Sequence, residues 1–161
     1  MTPEYQALSY QKLTQQYFQN AFLLHQQSHS NPWSQTAFVD CLDKPYFGWQ
    51  AIKKGEVVGY YIGLNVVGEV TLMDIGISKK HQGLGFGRDM LEHFFKQSQL
   101  QNGFEIWLEV RESNSRAIKL YETSGFELIE QRKNYYQLKS EVAGQPDSKE
   151  DALIMKKVLV P

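Results

Sequence analysis

Lys79–Leu91, KKHQGLGFGRDML, sets two lysines and three alternating glycines directly ahead of an apolar helical repeat. The preceding run, GEVTLMDIGIS (68–78), has the β-branched content of a strand, and Phe86, Met90 and Phe94, with Leu91 and Phe95 beside them, mark one face of a helix. A glycine turn between strand and helix collects backbone N–H groups at a helix N-terminus, where an anion is stabilised. Three anion sites use that layout. A P-loop needs a Lys and a hydroxyl after its last glycine, and none is present. A dinucleotide fingerprint needs glycine at 88, which is Arg, and opens a parallel sheet rather than following an antiparallel meander. The third pattern, Q-x-x-G-x-G for a pyrophosphate, is filled by Gln82, Gly85 and Gly87. A glycine-rich turn with no ligand is the plain alternative.

Outward from this turn the chain reads as a mixed α and β protein. YFGWQAIKKGEVVGYYIGL (46–64) and the run after Gly68 predict a three-strand meander broken at KKGE and near Gly68. FEIWLEV (104–110) alternates Phe104, Ile106, Leu108 and Val110 against Glu105, Trp107 and Glu109, as a strand does. SNSRAIKLYETSGF (113–126) is a helix with Ser113 or Asn114 as N-cap and Gly125 at its C-terminal end. FELIEQRKNYY and EDALIMKKVLV supply two closing strands, and the connection of about 137–150 is expected to be a mobile loop. Before residue 46, Leu13, Tyr17, Ala21 and Leu24 keep helical spacing, and Pro32 and Ser34 punctuate a second short helix.

The 161 residues, 42% hydrophobic and 22% charged, suit a single domain over 1–161. Seventeen basic against 18 acidic residues leave a net charge of −1, so no global basic field argues for direct nucleic-acid or membrane binding. Cys41 is the sole cysteine, which excludes an internal disulfide. With no signal-peptide pattern and no membrane-length apolar run, a cytoplasmic protein is expected. His25 and His29 stand at i, i+4, a metal-compatible spacing without an evident third ligand, and no metal is expected. His81 and His93 are expected to face solvent or phosphate.

Gln82–Gly87 together with NSRAIKLYETSGF (114–126) resembles the GCN5-related N-acetyltransferase (GNAT) family over about residues 57–136. WLEVRESNSRAIKLYETSGFELIEQRKNYY (107–136), EDALIM (150–155) and NPWS (31–34) are similar to its ribosomal-protein-alanine N-acetyltransferase (RimI-type) branch. The resemblance implies a largely antiparallel mixed sheet of about six or seven strands flanked by helices, its central parallel strands splayed to admit pantetheine. It implies acetyl-CoA as co-substrate and, as acceptor, the N-terminal alanine of a small-subunit ribosomal protein. By resemblance, Glu109 is the proton acceptor and Tyr121 the donor to the leaving sulfur. Ile75, Gly76 and Ile77 would bond acetyl-pantetheine through their backbone, and Gln82, Gly83, Leu84, Gly85, Phe86, Gly87 and Arg88 would hold the pyrophosphate. Asn114 would bond the pantetheine arm, and Tyr135 and Tyr136 would line a peptide groove. The chain departs from the family pattern in a longer loop at 137–150 and in Gly76, where alanine is usual. Gly76 in mid-strand also reads as a bulge or a close-approach signal. Acetylation of a small amine and a non-catalytic acyl-CoA-binding module are the competing readings.

Overall fold

A computed structural model describes residues 8–138 and 140–160. Residues 1–7, Lys139 and Pro161 of the expected domain lie outside the described residues. The elements, in order, are β1 (Ser9–Lys12), α1 (Gln19–Ser28), α2 (Gln35–Asp40), β2 (Tyr46–Lys53), β3 (Glu56–Val66), β4 (Glu69–Ile77), α3 (Phe86–Leu100), β5 (Glu105–Arg111), α4 (Ser115–Thr123), β6 (Glu127–Leu138) and β7 (Ser148–Val158). All seven strands form one sheet in the order β1-β2-β3-β4-β5-β7-β6. Only β4 and β5 are parallel, as the resemblance implied.

The meander is built by its turns. Lys54 and Gly55 carry φ of 50° and 78°, Val67 and Gly68 53° and 88°, so each two-residue turn has the double left-handed geometry that matches strand twist. α2 begins where Ser34 accepts the Ala37 N–H, and α4 where Asn114 accepts that of Ala117. α4 ends in a Schellman closure: the Phe126 N–H bonds the Tyr121 carbonyl, the Gly125 N–H bonds that of Glu122, and the two rings meet at 5.6 Å. Gly125, at φ 99°, is the residue after the C-cap Ser124.

Two apolar layers sandwich the sheet. On one face α3 and α4 bury Leu91, Phe94 and Tyr121 against Tyr61, Leu72, Ile106, Leu108 and Val110. On the other, α1 and α2 bury Ala21, Leu24 and Phe38 against Leu13, Tyr60 and Ile62. A β-bulge sorts β4 between these faces. Ile62 pairs with Asp74 and Gly63 with Leu72, leaving Met73 as the extra residue. Leu72 and Ile75 therefore both face α3 although they are three apart, and Asp74 turns to the α1 face.

Three expectations need correction. The spacing of Leu13 and Tyr17 is not helical: Ser9–Lys12 pair as an edge strand with Trp49–Ile52, Leu13 continues the contact through its N–H to the Gly48 carbonyl, and the helix starts at Gln19. Phe104, expected to open the fourth strand, precedes β5 and is 54% exposed, packed over Gly68. The β6–β7 connection is 139–147, because Tyr136, Gln137 and Leu138 pair with Glu150, Lys149 and Ser148.

Candidate active site

β4 and β5 stay paired only at Glu69–Thr71 against Glu105–Trp107, although β4 runs to Ile77 and β5 to Arg111. Each keeps its outer neighbour, β3 or β7, to the end. The strands thus part like a wedge, and the β5-facing backbone of the last β4 residues has no strand partner among the described residues.

A cavity of about 620 Å³ opens from this wedge on the α3/α4 side. Ile75, Gly76 and Ile77 form its strand wall, and Gln82, Gly83, Gly85, Phe86, Gly87 and Arg88 its glycine-turn wall. Asn114 and Tyr121 line it from α4. Of the expected binding residues only Leu84 lies outside the lining. Gly83 and Gly85, at φ 79° and 86°, turn the intervening side chain outward, where it is 54% exposed. A Cβ at Gly85 would meet nothing within 4 Å, so that side of the turn faces open space. The N–H groups at the start of α3 and the guanidinium of Arg88, tied to the Thr123 hydroxyl at 2.9 Å, give the wall its anion preference. These residues fit a pantetheine pyrophosphate. A larger hollow of about 880 Å³, between the start of β2 and the end of α3, contains none of the motif residues.

Gly76 is a close approach and not a bulge: a Cβ there would stand 2.7 Å from Cε1 of Tyr60, its cross-strand neighbour. Tyr121 is 7% exposed, and its phenol is pushed up to about 12, first by burial and then by the charge of Asp74. Glu109 does not line the cavity. It projects from β5 on the opposite face to Leu108 and Val110, is exposed, and accepts the Tyr136 hydroxyl. Arg111 stacks on the Tyr136 ring at 4.1 Å and reaches Glu150 at 3.5 Å. Tyr135 stands edge-on to Tyr136 at 5.2 Å, half exposed.

Asp74 is the centre of a further polar cluster on the Glu109 face. Its Oδ2 accepts His25 Nδ1–H at 2.7 Å and the Tyr60 hydroxyl at 2.6 Å, and its Oδ1 accepts His29 Nε2–H at 2.9 Å. Burial would raise this carboxyl, but the three hydrogen bonds outweigh it and hold it at about 2. Two histidines and a carboxylate have the makings of a metal triad. The geometry does not fit one, because His25 Nε2 accepts the Trp33 backbone N–H at 2.8 Å, so Nδ1 carries a hydrogen and offers the centre no lone pair.

The chain matches the acetyltransferase (GNAT) family over residues 9–126. It belongs to that family. The [ribosomal protein bS18]-alanine N-acetyltransferase of Escherichia coli K12 is 35% identical over 135 residues, 84% of this chain and 86% of that protein. Its counterpart in Haemophilus influenzae is 36% identical over 119 residues, 74% of this chain and 81% of that one. The crystal structure of the ribosomal-protein-S18-alanine N-acetyltransferase from E. coli superposes with a TM-score of 0.85 at 30% identity, covering 96% of this chain and 95% of the other. This GNAT chain is an acetyl-CoA-dependent N-acetyltransferase.

Sequence reading missed Arg116, Lys119 and Thr123, which also line the cavity, as does His81. The signal was available: Arg116, Lys119 and Thr123 stand at i, i+3 and i+7, which puts them together on one polar face of the helix. Arg116 donates to Gln82 Oε1 at 3.3 Å across the cavity mouth. His93 faces neither solvent nor phosphate; it stacks on Tyr10 at 3.7 Å and bonds the Tyr61 hydroxyl at 2.8 Å. Cys41 is half-buried, its thiol pushed up by burial and by Asp40 and Asp74. No helix of the described residues is long and apolar enough to cross a membrane.

Proposed function

We propose that this enzyme moves acetyl from acetyl-CoA to the α-amine of a protein N-terminus, namely the N-terminal alanine of the small-subunit ribosomal protein S18. The relatives named above support that acceptor. The observation that carries the chemistry is the wedge itself, with Tyr121 on its α4 side and Glu109 on its α1 side. A thioester laid along Ile75–Ile77 turns its sulfur toward the cavity, and an amine arriving from the opposite face attacks the carbonyl carbon. Glu109 takes a proton from the attacking nitrogen. Tyr121, held in the acid form by burial, donates to the departing thiolate. Ile75, Gly76 and Ile77 bond the pantetheine through backbone groups, Gln82–Arg88 hold the pyrophosphate, and Asn114 steadies the arm.

The test is steady-state acetylation of an N-terminal alanine peptide beside a polyamine. Preference for the peptide, with Glu109→Gln losing about 10²-fold in kcat/KM near pH 7, is the expected outcome. Preference for the polyamine would replace the acceptor, and binding of acetyl-CoA without turnover of either would reduce the chain to a binding module.

A further inference from the structure

Acetylating an ammonium takes two protons from one nitrogen. The first leaves before attack, to expose the lone pair, and the second leaves the tetrahedral adduct; only one of them is returned to sulfur. An N-terminal amine has a pKa of about 7.7–8.0 and is only about a tenth neutral at pH 7. Glu109 accounts for one proton, and the acceptor face contains another group built to take the other.

His29 caps the C-terminal end of α1, on the same face of the sheet as Glu109 and Arg111. Its side chain is 40% exposed, whereas that of Asp74 is 4% exposed. Its Nε2–H is committed to Asp74 Oδ1. In the neutral ring the Nδ1 lone pair then has no partner among the described residues. A buried carboxylate that fixes one ring nitrogen and leaves the other as a free acceptor is the base-and-orienter arrangement of hydrolytic triads. Asp74 lies where β4 and β5 have already parted, one residue before the strand wall of the cavity, so the dyad borders the wedge from the side the amine must use.

We propose that His29, oriented by Asp74, is a second proton acceptor in the reaction, taking a proton at Nδ1 from the substrate α-ammonium before attack. The ammonium N–H bond breaks, its electron pair stays on nitrogen, and a new N–H bond forms at Nδ1. The imidazolium then loses that proton to water at its exposed edge, and Glu109 receives the second proton from the adduct. The raised pKa of His29, due first to the Asp74 hydrogen bond, brings the ring toward the amine it must match. The groups facing the dyad are His25 from α1, Tyr60 from β3 and Arg111 from β5. Cys41 beyond α2 and Tyr121 on α4 also feel the Asp74 charge.

This assignment deepens the proposed N-terminal acetylation and rests on it. Its test is kcat/KM for an alanine peptide from pH 6 to 10 in wild type, His29→Gln and Asp74→Asn, each shown by its acetyl-CoA thermal shift to bind the co-substrate. His29→Gln should lose about tenfold at pH 7, the factor set by the neutral fraction of the amine, and recover once the amine is neutral in solution. Asp74→Asn should move the acid limb of the profile to lower pH. Nitrogen-15 spectra of the acetyl-CoA-bound protein should show His29 as the Nε2–H tautomer. A loss independent of pH, an unchanged His29→Gln, or an Nδ1–H tautomer overturns the assignment and leaves the acceptor reading standing. A wild type that ignores the peptide overturns the parent reading, and this one with it.

Discussion

Replacing Gly76 by alanine should destabilise this protein. The new Cβ would lie 2.7 Å from Cε1 of Tyr60 and 3.1 Å from both Cζ and the hydroxyl. The Tyr60 ring is fully buried, edge-on to Phe38 at 6.0 Å, and its hydroxyl is committed to Asp74. It can move only by overpacking the α1–α2 layer, at about 1–3 kcal/mol, or by giving up a hydrogen bond to a charged group, at about 1.5–3 kcal/mol. Stiffening of the unfolded chain returns about 0.4–1 kcal/mol. A net loss of about 2 kcal/mol corresponds to a fall of roughly 4–8 °C in Tm for a chain of this size. Thermal and urea unfolding of the apoprotein measure it, and the same change made in Tyr60→Leu, where the ring is gone, should cost at least about 1 kcal/mol less. A Gly76→Ala protein as stable as wild type, or strict additivity with Tyr60→Leu, refutes the steric account.

Three other perturbations follow from the same geometry. Gly85→Val should abolish the stabilisation given by acetyl-CoA, which at 100 times Kd amounts to about 2.7 kcal/mol in the parent and is read as a rise in Tm, because φ is 86° and the side chain would enter the cavity; a full shift in the variant would remove the turn from the binding site. Tyr121→Phe should keep that shift and lose on the order of 10²-fold in kcat, less with a thioester whose thiol is more acidic, and equal losses with both donors would count against Tyr121 as the acid. For Asp74, the folded carboxyl lies near 2 against an ordinary value near 3.8, so its contribution is present above the ordinary value and fades as pH falls toward 2. His29 is raised, so its contribution is present below 6.5 and fades as pH climbs through its folded value. Urea midpoints should therefore plateau between about pH 4 and 6.5, and Asp74→Asn should flatten both limbs.

What the sequence made legible was local. Left-handed glycines, N-cap side chains and alternating strands state their backbone requirements within a few residues, which is why the meander, the turn at Gln82–Gly87 and the α4 helix with Tyr121 were all readable. Ser9–Lys12 was not, because four residues on an edge carry too little pattern to outweigh the helical spacing of Leu13 and Tyr17 around them. The His25–Asp74 contact spans 49 residues and depends on a bulge, so spacing alone presented two histidines without their carboxylate. Leu84 shows a related limit: a motif gives residues in a row, whereas the two left-handed glycines beside it turn its side chain outward.

Met73 acts on β4 as a one-letter insertion acts on a reading frame. Upstream of it, Val70 and Leu72 are read by the α3 layer; downstream, Ile75 and Ile77 are, and Asp74 falls to the histidines instead. A chimera that grafts an unbulged strand here keeps every downstream letter and reverses its meaning, driving a carboxylate into the apolar layer against Met90 and Phe94 and turning Ile75 and Ile77 toward the histidines. Any transplant of this site between scaffolds must carry the extra residue with it.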